Sequence, residues 1–242
     1  MIFESFPWKQ DLRRRKNLII KYNTAEHFEK NDDTTYTVIE KAIFYSAFII
    51  RKLIDCGGKL SDESENYSLK VCSVQPLKPV DRLHRWPEED SHDWENEKEV
   101  VVTGKNVCNW LIHSYMFFVV FNEDGIIDSF SVTSDFDRNK VLYRIPLDAW
   151  MEYMDYIASD DIVGMSSHYD PKADDYVFSR KERGKRYASE FMDGRFAFDY
   201  SEYSRKNWAV QHVCCELDNV IRKLLGMLLF NRRELERIKK SI

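Results

Sequence analysis

The run KNVCNWLIHSYMFFVVF, residues 105–121, decides how the fold is read, because its periodicity changes midway. Its first half places Asn109 and His113 four residues apart, so on a helix both project from one face. Its second half is strongly apolar and alternates, which favours a strand. Beyond it, FNEDGIIDSFSVTS contains Asp124-Gly125, a pair that two-residue hairpins favour because glycine accepts a positive φ. DFDRNK forms a second turn, and VLYRI, 141–145, a third strand with Val141, Tyr143 and Ile145 on one face. The expected unit is a three-stranded antiparallel meander over 116–146, inserted between helices.

The flanking segments are mostly helical in pattern. Residues 38–55, VIEKAIFYSAFIIRKLID, place Val38, Ala42, Tyr45, Ile49 and Leu53 on one stripe, with Ile39, Ile43, Ile50 and Ile54 widening it. A stripe that wide implies burial on more than one side. CGGK then supplies glycine for a left-handed cap, and Asp33, Thr34 and Thr35 supply N-cap chemistry upstream. Residues 8–22 form a short basic helix, YSLKVCSV a strand before two prolines, and 146–158 a helix begun by Pro146. Residues 81–99 hold eight acids against three Lys/Arg and read as an exposed acidic loop. Residues 159–203 are expected to be ordered but irregular, and 204–240 a long helix. The fold class expected is α+β, predominantly helical with the meander inserted, as a single domain over 1–242.

The totals narrow function only by exclusion. A charged fraction of 32% with 8 Gly and 6 Pro argues against disorder. A net charge of −5 gives no global reason to expect nucleic acid. The five cysteines are irregularly spaced and include an adjacent pair, Cys214-Cys215, with no CxxC. Reduced thiols are the simplest account. The N-terminal run lacks the order of a secretion signal, and no apolar run reaches the roughly 18 residues needed to span a bilayer. A soluble, cytoplasmic protein without membrane contact is the expectation. His84 and His92 in the acidic loop fit no metal-ligand spacing, so no metal and no cofactor are assigned.

The candidate chemistry centres on Asn109 and His113, with Lys105 one turn earlier on the same stripe. An imidazole titrates near neutrality and can act as general acid or base, while the amide orients it or a phosphate oxygen. Equally, both side chains could be satisfied structural groups. The stretch CNWLIH, 108–113, resembles the RNxxxH signature of the HEPN superfamily, helical domains that include many metal-independent ribonucleases. The resemblance implies a HEPN-like helical core, with Asn109 and His113 in the motif's Asn and His places. Cys108 stands where the motif has arginine, and a thiol supplies no fixed charge. Arg51, set among aliphatics in 38–55, is the candidate replacement; Lys105 is the other. On this reading His113 withdraws the 2′-hydroxyl proton of RNA while Asn109 and Arg51 steady the developing negative oxygens.

Basic clusters at 13–16, 180–186 and 232–240 are candidate phosphate contacts, with Arg13, Arg14 and Arg15 the substrate-binding candidates, although solvated helix ends look the same. The sequence therefore leaves two functions open. One is a HEPN-like RNA-binding or endoribonuclease-like protein, with RNA and a homodimeric partner implied. The other is a catalytically inert helical module whose acidic loop and basic tail dock protein partners.

Overall fold

The change of period falls at His113. In a computed structural model, which describes residues 2–84 and 86–184, helix α4 (Gly104–Ile112) ends there and strand β3 (Ser114–Phe121) begins at the next residue. Strands β4 (Ile127–Ser134) and β5 (Leu142–Pro146) complete the expected meander. Its first turn uses Gly125 at φ +73°, a conformation that costs glycine nothing. The meander is not a free insertion. Strand β1 (Ser68–Val74) adds to β5, and β2 (Lys98–Thr103) to β1, giving one antiparallel sheet ordered β2-β1-β5-β4-β3.

Register explains why this sheet dominates. Val71 lies opposite Val100, and Ser73 opposite Tyr143. Val132 lies opposite Tyr143 on one side and Phe117 on the other. Side chains alternate between faces, so Leu69, Val71, Val100, Val102, Tyr143, Ile145, Phe130, Val132, Phe117 and Val119 share one apolar face. That face packs into the main core with the helices. The opposite face, with Val74, Leu142, Met116, Phe118 and Val120, forms a smaller core with Val80 and Trp94 from the segment after β1. A sheet buried on both faces, not a helical bundle, organises the domain. The predominantly helical, HEPN-like core expected from sequence is thereby overturned: the apolar residues of β1 to β5 are satisfied by cross-strand pairing.

The helical layer comprises α1 (Ser5–Tyr22), α2 (Ala25–Asp55), the short α3 (Asp62–Glu65), α4 and α5 (Leu147–Ala158). Helix α2 starts earlier than expected, capped by Thr24, and kinks at Asn31. There the Asn31 carboxamide accepts from Thr34 N at 3.1 Å. The N-cap chemistry expected of Asp33, Thr34 and Thr35 is therefore not used: they lie inside one helix, and Asn31 does the capping at its kink. Cys56 caps its end, with Gly57 and Gly58 at φ +56° and +63°. Its inward stripe differs by one position from the one expected. Tyr45 is exposed and Ser46 is buried, donating to Ile43 O at 2.7 Å and accepting from Trp150 Nε1 at 3.1 Å.

Two other segments depart from expectation. Residues 162–183 are not irregular: β6 (Ile162–Asp170) and β7 (Asp175–Arg183) form an antiparallel hairpin. The hairpin base is held by Phe178 and Met165 lying against Gly57 and Gly58, and by Lys181, which pairs with Glu65 and Asp62. The acidic stretch divides into a part whose described residues, 81–84 and 86–90, are largely exposed, and a docked part. There His92 is buried and bridges Pro76, and Trp94 packs edge-on against Phe118. The expected helix at 204–240 lies outside the described residues. No helix among the described residues is long and apolar enough to cross a membrane.

Candidate functional site

Helix α4 is nine residues long and sits between the sheet and α2. Val107, Cys108, Trp110 and Leu111 face inward, and the Trp110 ring stacks on Tyr143 with centroids 3.6 Å apart and planes 8° from parallel. Thr103 caps its start by accepting from Asn106 N at 3.3 Å. Gly104 is required at that start because a Cβ there would fall within 3 Å of the buried Tyr153 ring. These contacts orient the outward stripe: Lys105 and His113 are exposed and Asn109 is half-buried. The backbone bond from His113 N to Asn109 O, 3.0 Å, sets one residue a turn above the other.

Two of the candidate residues do meet. Arg51 Nε donates to Asn109 Oδ1 at 2.8 Å, joining α2 to α4 across 58 residues of sequence. The same guanidinium pairs through Nη1 with Asp55, one turn along α2. Arg51 is therefore held on two sides, its charge compensated by a carboxylate. The Cys108 thiol, in the motif's arginine place, is buried, and burial pushes its pKa upward against the opposing pull of Arg51. It stays a neutral thiol.

His113 is less constrained. It is the C-cap of α4, its carbonyl accepts from Asp135 N at 3.2 Å, and its ring has no partner among the described residues. Nothing fixes its tautomer or aim, which a general base needs. Lys105 lies two turns away, roughly 12 Å along the helix axis at 1.5 Å per residue, too far to share one phosphate oxygen with His113.

The α1 arginines serve packing. Arg13 Nη2 donates to Ala158 O at 3.0 Å, the last residue of α5, where a cation also suits the negative helix end. Arg15 pairs with Asp11 at 3.3 Å and lies over the Tyr45 ring. Arg14 alone of the three is exposed to solvent. In the second basic cluster, Lys181 is neutralised by acids of α3. Arg183 stacks on Tyr156 at 3.6 Å and donates to Tyr156 O and Ser159 Oγ.

Sequence reasoning missed a different surface. A groove of about 470 Å³ runs between α1 and α2, lined by Ile2, Trp8, Phe48, Lys52, Asp55 and Cys56. Trp8 and Phe48 form its aromatic wall, ring centroids 6.5 Å apart, and Lys52 lies over the Phe48 ring. The available signal was the spacing Lys41, Tyr45, Phe48, Lys52, which places two aromatics between two lysines on one helical face.

Compared with known proteins, the chain matches no family model, no curated protein and no solved structure.

Proposed function

We propose that this chain is an α+β protein-interaction module, and that Arg51, Asn109 and Asp55 hold its helices together instead of performing ribonuclease chemistry. The observation that carries the reading is the double engagement of Arg51 by the Asn109 amide oxygen and the Asp55 carboxylate. A cation stabilises a phosphoryl transition state only if it faces the oxygens where charge develops. Arg51 has its charge compensated by Asp55 and its Nε committed to Asn109, which weakens its pull on a phosphate oxygen. The unanchored His113 ring and the distance from it to Lys105 weigh the same way. The aromatic wall of the α1/α2 groove, with Phe48 exposed beside a half-buried Trp8, supplies the positive half of the reading, since aromatic residues are enriched at contact surfaces.

The test is incubation of the full chain with end-labelled single-stranded RNA in EDTA, beside its His113→Ala variant. The proposal expects no cleavage from either. Cleavage by the parent chain that disappears in His113→Ala would restore the nuclease reading.

A further inference from the structure

Building on the interaction-module reading, the geometry points to a partner for the α1/α2 groove: we propose that it takes the acidic segment Trp86–Asp90 of a second copy of this chain, with Trp86 as the anchor. The groove floor is apolar and its wall is aromatic. Its one carboxylate, Asp55, is already neutralised by Arg51. Lys52 at the rim, and Lys41 on the same face of α2, have no carboxylate partner among the described residues. Lys52 gives this apolar site one cationic edge, and Phe48 is still 44% exposed. It calls for a bulky apolar group followed by uncompensated negative charge.

The chain carries that complement. Leu83 and Trp86 are 88% and 69% exposed, and after Pro87 come Glu88 and Glu89, with no cationic partner among the described residues. An indole left in water forgoes the burial that makes tryptophan a frequent interface anchor. The base of the loop is fixed: Val80 is buried with Val80 N bonded to Asn139 at 2.7 Å, and His92 is buried. A tip that projects large apolar groups from a fixed base is preorganised for docking. Groove and loop are different surfaces, so each contact joins the groove of one copy to the loop of another, a heterologous arrangement.

Sedimentation velocity of the full chain over a concentration series tests this. The parent chain is expected to associate as concentration rises, more weakly in high salt. Phe48→Asp, which breaks the groove at an exposed position, and Trp86→Asp, which breaks the loop, are each expected to sediment as monomers. Mixed in equal amounts they should form a pair that grows no further, because one still has a loop and the other a groove. That rescue shows both variants to be folded. A parent chain that stays monomeric, variants that associate like the parent, or a mixture that stays apart overturns the proposal. A monomeric chain that binds an acidic protein or single-stranded RNA through Phe48 also overturns it. RNA cleavage is read in a separate assay, so a monomer that cleaves no RNA loses this inference while leaving the interaction-module reading in place.

Discussion

Replacing Gly104 with alanine probes the joint between α4 and the core. The added Cβ would fall within 3 Å of Cζ, Cε1 and Oη of Tyr153, separations that carbon does not tolerate. The ring has nowhere to go. Tyr153 is fully buried, stacks on Tyr67 at 5.1 Å with planes 19° apart, and meets Trp150 at 5.7 Å. Gly104 N is itself tied to Tyr67 O at 2.8 Å, so the helix start resists lifting away. Overpacking of this kind costs about 1–3 kcal/mol, and two rigid partners place it near 3. Alanine recovers up to about 1 kcal/mol of helix propensity, less at a first turn, which leaves a net loss of about 2 kcal/mol. Urea unfolding should show a lower midpoint with an unchanged slope. In a Tyr153→Ala background, where the ring is gone, the added methyl should cost almost nothing. A Gly104→Ala chain as stable as the parent would refute the close approach and the orientation of α4 built on it.

Burial holds the His92 imidazole below its ordinary pKa of 6.5, so the folded chain resists a proton that the unfolded chain accepts. Below about pH 6.5 the unfolded state binds more protons, and stability falls as pH drops. His92→Gln should flatten that part of the unfolding free energy against pH, and an unchanged slope would contradict the burial. Cys108 is buried with its thiol pKa pushed up, whereas Cys56 and Cys72 are half-buried. Native alkylation followed by peptide mass spectrometry should therefore mark Cys72 well before Cys108, and equal rates would show that α4 opens readily.

What the sequence disclosed follows from where each signal resides. The meander was legible because Phe117, Val119, Phe130, Val132, Tyr143 and Ile145 alternate inward and Asp124-Gly125 marks the turn. Strand β2 was not, since KEVVVT is short and acquires meaning only opposite Leu69 and Val71. The β6–β7 hairpin hid for another reason. Most of its residues are solvent-facing, so its strands lack apolar alternation and present Ser, His, Asp and Arg among scattered aromatics. Tyr45 and Ser46 exchanged places because a small hydroxyl that bonds Ile43 O and Trp150 Nε1 is cheaper to bury than a phenol without partners. At the candidate site, Arg51 stood out in sequence as a charge among aliphatics. Its bond to Asn109 did not, because that contact is made by the packing of two helices.

If Arg51 is a strut between α2 and α4, a double-mutant cycle on Arg51→Met and Asn109→Ala measures it most directly. Hydrogen bonds to charged groups contribute about 1.5–3 kcal/mol when buried. The Arg51 and Asp55 side chains are 24% and 42% exposed, and solvent and the competing Asp55 pair reduce the coupling to about 1 kcal/mol. Urea unfolding of the four chains should return that coupling, with RNA left uncleaved by all of them. Additive losses, together with an RNA-cleaving parent chain that Arg51→Met silences, would contradict it.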